Sequence, residues 1–325
     1  MAVAGIKLSP VSEQDNKLRR LLEHRVGQIA LRQRLGIESD REALIFGQGR
    51  KRFHIENWYG GAIVIRALFY FAFIHRRARR NALRIESRRN RIGLAKLPSA
   101  FDGFTILHIS DLHLDMNQDF PHALAERIRE LEYDICVLTG DFRYRSSGPI
   151  EPALEGMQRV RVHLKEPVYG ILGNHDSIRM VPALEEMGIR MLLNEAVRIQ
   201  RGDSHVYLAG IDDPHYYRAE NFERACHGID HVAVSILLAH SPEVYSRAAH
   251  AGFDLMLCGH THGGQLCLPG GIPILVDADC PRRYCVGPWR YRQLQGYTSV
   301  GAGCSIVDLR LNNRPEVTLH QLVRI

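Results

Sequence analysis

The sequence contains few cysteines, and they follow no pattern. Its 325 residues include seven cysteines, an odd number without the regular spacing of a disulfide-rich secreted protein. Cys280 and Cys285 lie close along the chain, but this spacing alone favours neither a disulfide nor a zinc knuckle. The first 15 residues also lack the basic segment followed by an apolar one that a secretory signal requires. We therefore expect reduced thiols and a cytoplasmic protein.

The sequence also lacks a long uninterrupted apolar run. Its most apolar stretch, residues 58–74, is 17 residues long and includes Arg66. A membrane-spanning helix needs about 20 apolar residues, and an arginine at its centre costs about 2.5–3.5 kcal/mol of insertion free energy. The stretch is rich in aromatic residues, and many arginines follow it in residues 76–91. This combination is typical of a helix that lies in the interface of an anionic membrane.

Positive charge is scarce in most of the chain, although the net charge is +6. Residues 1–100 contain 21 Lys and Arg against 8 Asp and Glu, so residues 101–325 carry an excess of acidic residues. Residues 1–56 place apolar residues at helical spacing, which predicts helices packed on the rest of the chain or on a partner. We therefore predict a basic helical extension, residues 1–100, that serves as a membrane-surface arm, and a second domain, residues 101–325.

Two alternatives exist for the basic extension. The apolar segment can instead dock on the second domain as a helical hairpin, with its arginines solvated. Nucleic acid is the third possible partner, and we do not expect it because no recognised binding module accompanies the arginines. On the first interpretation the protein lies peripherally at the inner face of the membrane.

From residue 101 onward, short apolar strands alternate with helical segments. Such alternation predicts a layered α/β architecture with a largely buried sheet. The predicted strands are Thr105–Ile109, Ile135–Thr139, Val168–Leu172, Val206–Ala209, Ser235–Ala239, Leu255–Cys258, Thr298–Val300 and Val317–Leu322.

Polar residues follow five of these strands, at the edge where open α/β sheets bind their ligands. Side chains two apart in an extended segment point to the same face, so pairs such as His260 and His262 can converge on one site. These strand-end residues are Asp111, His113, Asp141, Asn174, His175, Asp176, His240, His260 and His262.

Seven of these residues are possible ligands, with two carboxylates, one amide oxygen and four imidazoles, plus one extra histidine, and none of them is a thiolate. This set suits divalent ions such as manganese, iron or zinc, with manganese favoured. It offers too many ligands for a single ion that keeps an open position. Two ions about 3.5–4 Å apart, bridged by one carboxylate, would use all the ligands and stabilise the attacking and leaving oxygens of phosphoryl transfer. The residues therefore predict a hydrolase of phosphorus esters.

The same blocks resemble the calcineurin-like metallophosphoesterase family. They occur in the family's order over residues 104–265, as Asp-x-His, Gly-Asp, Gly-Asn-His-Asp, a single His and Gly-His-x-His. The resemblance implies a layered sandwich of two central mixed β-sheets flanked by helices, here with the helical N-terminal extension. It also implies two metal sites, formed by Asp111, His113 and His262 and by Asn174, His240 and His260, with Asp141 as the bridge.

The resemblance also assigns a residue to the chemistry. His175 would lie near the scissile phosphate and act as a general acid or stabilise charge on the transferring group. Asp176 would orient His175 and fix its tautomer. Arg143 and Arg145 either hold a substrate phosphate or are exposed loop charges. His215 matches no family position, and we expect it at the surface.

The apolar and basic N-terminal lead, and the sequence Gly-His-Thr-His-Gly-Gly-Gln at residues 259–265, are similar to a membrane-associated bacterial branch of the family. This branch includes enzymes that cleave UDP-2,3-diacylglucosamine. The implied reaction is attack of a hydroxide held between two metal ions on a phosphodiester or pyrophosphate bond of a lipid-linked nucleotide. The alternatives are a soluble phosphodiesterase or phosphatase acting on nucleotides or phosphoproteins, and a non-catalytic scaffold. The Gly/Pro-rich insert at residues 269–288 would form a lid or a wall of the pocket.

Overall fold

Two mixed six-stranded β-sheets form the centre of the computed structural model, which describes residues 13–45 and 59–325. In the first sheet, β14 and β2 pair antiparallel and the other neighbours pair parallel, in the order β1, β14, β2, β3, β4, β5. These strands are β1 (Glu86–Leu94), β2 (Thr105–Ile109), β3 (Ile135–Leu138), β4 (Val168–Gly170), β5 (Ile189–Met191) and β14 (Glu316–Arg324).

The second sheet has a parallel centre and antiparallel edges, in the order β12, β13, β9, β8, β7, β6. A two-stranded hairpin of β10 (Cys267–Leu268) and β11 (Ile272–Pro273) stands apart from both sheets. The strands of the second sheet are β6 (Glu195–Arg201), β7 (Ser204–Gly210), β8 (Ser235–Leu238), β9 (Leu255–Cys258), β12 (Gly287–Tyr291) and β13 (Leu294–Thr298).

Helices cover the outer faces of this sandwich. Buried residues of α1, α2, α5, α6 and α7 belong to the core on the first sheet, and buried residues of α8 and α9 to the core on the second. The helices are α1 (Glu13–Val26), α2 (Gln28–Ile45), α3 (Tyr59–Phe71), α4 (His75–Ala82), α5 (Phe120–Ile128), α6 (Glu151–Arg161), α7 (Val181–Glu186), α8 (Phe222–Ala225) and α9 (Tyr245–His250).

The central strands are apolar on both faces, and this places them inside the sandwich. In β3, Ile135 and Val137 face the core between the sheets, whereas Cys136 and Leu138 face the core under the helices. Alternate residues of a strand point to opposite faces, so a continuous apolar run suits a strand that is covered on both sides. The predicted layered fold with two mixed sheets and flanking helices is therefore confirmed.

Helices α1 and α2 pack on residues 101–325. Leu22, Val26 and Leu31 are buried in the core on the first sheet. Arg34 is also buried, and its guanidinium group donates to Asp212 Oδ2 at 3.1 Å and to the Asp176 carbonyl at 3.0 Å. This is one of the two arrangements predicted for residues 1–56, of which residues 1–12 and 46–56 lie outside the described residues.

Helix α3 carries the apolar segment and docks by one face. Ala62, Ile65 and Phe69 pack against Val307 and Leu309. Among the described helices, none is both long enough and apolar enough to cross a membrane. Trp58, at the start of the predicted apolar segment, lies outside the described residues.

The basic extension does not remain helical as far as residue 100. Glu86–Leu94 form β1, which pairs with β14 at the edge of the first sheet. Its residues Ile92 and Leu94 are buried, whereas Arg89 and Arg91 are exposed, so the high charge of the segment did not predict this strand. The strand predicted at Thr298–Val300 lies earlier in the chain, because β13 ends at Thr298.

Candidate metal centre

The predicted metal ligands follow the carboxyl ends of β2, β3, β4, β8 and β9, where their loops meet at one edge of the sandwich. Residues other than glycine seldom adopt a positive φ, and such strained conformations concentrate at functional sites. Five of the seven predicted ligands have one: Asp111 (54°), His113 (42°), Asp141 (56°), His260 (69°) and His262 (48°).

Two glycines allow these loops to approach each other. Gly140 has a φ of +90°, and a β-carbon there would lie 2.5 Å from the backbone nitrogen of Gly173. A β-carbon on Gly259 would overlap the side chains of Ser110 and Asp111. Only glycine fits at both positions, so the Gly-Asp and Gly-His pairs bring neighbouring loops into contact.

The first predicted ligand group is assembled and buried. The Nε2 atoms of His113 and His262 face each other at 3.2 Å. Asp111 Oδ1 lies 3.5 Å from His262 Nε2, and ligand atoms of all three residues lie within 4.8 Å of one another. Three donor atoms that converge in this way can hold one ion.

The second predicted ligand group converges on an amide oxygen. Asn174 Oδ1 lies 2.8 Å from His240 Nε2 and 2.9 Å from His260 Nδ1. Asn174 and His240 are completely buried, and His260 is 5% exposed. Asp141, His240 and His260 also form a possible metal-binding group.

Asp141 lies between the two groups. Its Oδ2 is 3.6 Å from His113 Nε2, which belongs to the first group, and 3.3 Å from His240 Nε2, which belongs to the second. Its Oδ1 accepts the backbone N–H of His175 at 2.9 Å, which fixes the carboxylate. One oxygen that faces both groups has the position that a bridging ligand requires.

The histidine protonation states fit divalent cations. The Nδ1 atoms of His113 and His240 lie 2.8 and 2.7 Å from the carbonyls of Arg143 and Thr139, so each donates its Nδ1 proton there and turns Nε2 towards the other ligands. Burial lowers the pKa of His113 to about 3 and lowers the pKa of His260 and His262 well below the usual value. Neutral imidazoles beside carboxylates are the donors that manganese, iron and zinc accept.

The carboxylates respond to the same burial. Burial, together with the neighbouring Asp141, raises the pKa of Asp111 to about 6. Burial also acts to raise the pKa of Asp141, but His240 and His175 outweigh it and hold that pKa well below its usual range. Burial opposes a charge on His240, yet Asp141 raises the pKa of His240 well above its usual value. Without a metal, a proton on His240 therefore neutralises Asp141, and a cation can replace that proton.

His175 lies beside both ligand groups. Its Nε2 is 3.9 Å from Asp141 Oδ2, and its Nδ1 contacts the carbonyl of Tyr144. The ring of His113 lies 5.0 Å away, measured between ring centroids, in an edge-to-face arrangement. The role of His175 next to the reacting phosphate stays a prediction.

Asp176 has a different structural role from the predicted one. Its carboxylate accepts the backbone N–H groups of Asp141, Phe142 and Gly173 at 2.7 to 2.8 Å. We predicted that Asp176 orients the His175 ring, but these bonds assign it to the backbone of the Asp141 loop. The expectation failed because adjacency in sequence does not determine where a side chain in a turn points.

The two arginines predicted to bind phosphate lie in different environments. Arg143 is buried and its guanidinium donates to the carbonyls of His175, Ser146 and Gly148, so it holds the loop and is not free for substrate. Arg145 is exposed and remains a predicted phosphate ligand.

The sequence analysis placed His215 at the surface and did not single out Glu243, but both lie near the ligands. The centroids of the His215 and His260 rings are 4.2 Å apart, and His215 Nδ1 lies 2.8 Å from Glu243 Oε1, so the surface position predicted for His215 is wrong. The Asp-Asp-Pro-His sequence at 212–215 follows β7, and its position after a strand was the signal available in the sequence.

An apolar cavity of about 430 Å³ opens directly at the metal centre. Asp141, His175 and two ligand histidines line its polar end. Its other walls come from α3, from the 269–288 insert and from the segments around Leu266 and Ile306, so the insert forms a wall, which is one of the two roles expected for it. The apolar lining residues are Ile65, Leu68, Phe69, Leu266, Ile274, Leu275 and Ile306.

Comparison with known proteins agrees with this geometry. Residues 104–264 match the family model described as calcineurin-like phosphoesterase. The chain is 32% identical over 230 residues to the uncharacterized metallophosphoesterase YkoQ of Bacillus subtilis, an alignment that covers 67% of this chain and 83% of YkoQ. It is 34% identical over 243 residues to the phosphodiesterase YaeI of Escherichia coli, covering 68% of this chain and 82% of YaeI.

A more distant relative is longer. A Danio rerio protein named transmembrane protein with metallophosphoesterase domain is 27% identical over 246 residues, which cover 70% of this chain and 55% of that protein. The matched residues 104–264 include the strands and loops that carry all seven predicted ligands. The chain therefore belongs to the calcineurin-like phosphoesterase family.

Proposed function

We propose that this metallophosphoesterase cleaves a phosphodiester or diphosphate bond in a lipid-linked substrate, such as UDP-2,3-diacylglucosamine, at the inner face of an anionic membrane. Family membership makes the chain a hydrolase of phosphoesters that uses divalent metal ions. The bond, the lipid and the membrane are the proposed parts. The observation that supports them is the apolar cavity at the metal centre.

The proposed ligands form two metal sites. Asp111, His113 and His262 would hold one ion, and Asn174, His240 and His260 the second, with Asp141 shared. Manganese is the favoured metal, and iron or zinc also suit these donors. Bound divalent ions would polarise the phosphoryl oxygens and lower the pKa of water.

His175 would supply the remaining chemistry. Its Nδ1 is held by the Tyr144 carbonyl, and the residue lines the apolar cavity beside Asp141. From there it can donate a hydrogen bond or a proton to an oxygen of the phosphate group. Asp176 and Arg143 would contribute by holding the backbone of the loop that carries Asp141.

The lining of the cavity supports an apolar group next to the scissile bond. Seven apolar side chains face this space, and a nucleotide or phosphopeptide alone would leave them against water. Burial of an acyl chain is favourable by about 0.8 kcal/mol per methylene. A phosphate joined to an acyl-bearing group would place its charge at the metals and its chain against α3.

The outer face of α3 supports the membrane part of the proposal. Large apolar side chains rarely cluster on the surface of a protein that has no partner. Arginines of α4 follow directly, and they complement an anionic surface. The exposed residues of the α3 segment are Ile63, Val64, Leu68, Tyr70, Phe71 and Phe73.

The proposal predicts a preference for long alkyl chains. With manganese, kcat/KM should be at least about tenfold higher for p-nitrophenyl decyl phosphate than for p-nitrophenyl methyl phosphate, both below their micellar concentrations. Equal values would contradict the lipid part and favour the nucleotide or phosphoprotein alternative. Activity that survives complete metal removal would contradict the reaction itself. Mass spectrometry of a bacterial lipid extract before and after incubation would then identify the substrate.

A further inference from the structure

We propose that a second cavity binds the phosphate-bearing headgroup of an anionic phospholipid. This basic cavity has a volume of about 700 Å³ and lies between α4, β1 and the loops at Gly263, Gly271 and residues 312–314. Its charged lining consists of Arg77, Arg80, Arg84, Arg88, Arg314 and a single carboxylate, Glu86.

Three of these arginines form no ion pair with any residue that the structure describes. Arg77 and Arg80 are three residues apart and share a face of α4, whereas Arg84 follows the end of the helix, and all three line the cavity. Within residues 13–45 and 59–325, their side chains pair with no carboxylate and donate to no hydrogen-bond acceptor. Like charges on one face repel each other, and a bound anion would remove that repulsion.

The other two arginines are partly neutralised. Arg314 Nη1 lies 2.9 Å from Glu86 Oε1, and Arg88 Nε lies 2.9 Å from the buried Glu316 Oε2. These pairs fix one wall of the cavity, and the guanidinium groups of Arg77, Arg80 and Arg84 remain to bind a ligand. Planar guanidinium groups donate paired hydrogen bonds that match phosphate oxygens.

The surroundings of the cavity favour a lipid over a free phosphate. Gly271, which lines the cavity, belongs to the hairpin turn between β10 and β11, and the hairpin residues Leu268 and Ile272 are 51% and 56% exposed. Helix α4 also follows directly after the exposed apolar face of α3. A ligand with an anionic head and apolar tails would contact both surfaces, whereas inorganic phosphate would satisfy the arginines alone.

The cavity lies behind the metal-binding loop. Gly263 lines it, and Asn313, also in its wall, donates from Nδ2 to the carbonyl of His262 at 2.8 Å. The headgroup would therefore anchor the chain with its catalytic edge close to the lipid surface. This inference rests on the proposed membrane surface but not on the identity of the substrate.

The test compares two double variants of equal charge in the full-length, metal-loaded protein. Arg80→Gln with Arg84→Gln removes two cavity arginines, whereas Arg76→Gln with Arg89→Gln removes two exposed arginines that do not line the cavity. Binding is measured by flotation with vesicles of phosphatidylcholine alone or mixed with phosphatidylglycerol. Thermal melting of each variant verifies that it is folded.

We expect the cavity variant to bind phosphatidylglycerol vesicles at least about tenfold more weakly than the matched control. Soluble glycerol phosphate should compete with the vesicles more strongly than inorganic phosphate does. Equal weakening of both variants would overturn the proposal, since it would indicate diffuse attraction, and so would an absence of vesicle binding by the unmodified protein. Hydrolysis of p-nitrophenyl methyl phosphate is measured separately, so a failure of the proposed reaction is distinguishable from a failure of this site.

Discussion

The metal centre and the α3–α4 segment are built in opposite ways. In the metal centre every predicted ligand is buried, and its loops are fixed by glycines and backbone hydrogen bonds. In the α3–α4 segment apolar side chains are exposed, and Arg77 and Arg80 have no carboxylate partner among the described residues. The first region offers a full set of ligands for its proposed ions, whereas the second presents exposed apolar and basic side chains to the proposed lipid surface. We infer that the first determines the reaction and the second determines where it occurs and on what.

The largest expected effect comes from Asp141. Asp141→Asn removes the charge that faces both ligand groups, so activity towards p-nitrophenyl methyl phosphate should fall on the order of 10³-fold or more. Metal content, measured by plasma mass spectrometry, should fall with it. Vesicle binding should be unchanged, because the α3–α4 segment does not depend on the ligands.

Asp203→Asn is the matched control, since Asp203 is an exposed residue of the turn between β6 and β7. It should retain both metal and activity. If Asp141→Asn retained full activity, the assignment of the bridge would be wrong, and so would the contrast between the two regions.

His175→Gln should separate catalysis from metal binding. The glutamine side chain can still donate a hydrogen bond but cannot transfer a proton, so kcat should fall about 10²-fold while metal content stays unchanged. His163→Gln serves as the control, because His163 is exposed at the end of the α6 segment. Loss of metal in His175→Gln would instead assign His175 to the ligands.

The convergence of the predicted ligands could be expected from sequence because they follow strand ends and occur in the order of one family. The carboxyl ends of neighbouring parallel strands meet at one edge. The alternation of an extended segment did not predict the loop at 260–262, where both histidines have a positive φ and reach different ligand groups. The roles of Asp176 and Arg143 were not predictable, because they depend on which backbone groups a tight turn brings within hydrogen-bonding distance.

The α3–α4 segment was predictable only in composition. Its sequence indicated an apolar, basic surface, but not that Ile65 and Phe69 form a wall of the catalytic cavity. Such contacts join residues more than 200 positions apart, as in the ion pair of Arg66 with Asp308. Strand β1 was hidden for a similar reason, since its pairing with β14 spans 230 residues at Asn90 and His320.

Metal affinity should depend on pH in the direction set by the ligands. The pKa of Asp111 is raised to about 6, so this carboxyl retains a proton up to that pH and must lose it to bind a cation. The raised pKa of His240 adds a second competing proton. The affinity for manganese should therefore fall at least about tenfold per pH unit as pH decreases below about 6. Titration with manganese over this range measures the slope, and a flat profile would contradict the assignment of Asp111.

The smallest expected effect tests whether α3 acts as a cavity wall in addition to its proposed membrane contact. Ile65→Ser places a hydroxyl in the apolar lining, so kcat/KM for p-nitrophenyl decyl phosphate in monomeric solution should fall about five- to tenfold, with little change for the methyl ester. Ile63→Ser changes the same helix at a residue that is 70% exposed and does not line the cavity. Its effect in the same assay should be smaller, because no membrane is present. If both substitutions weakened the decyl ester equally, α3 would recognise lipid only through its outer face, and the substrate chain would not enter the catalytic cavity.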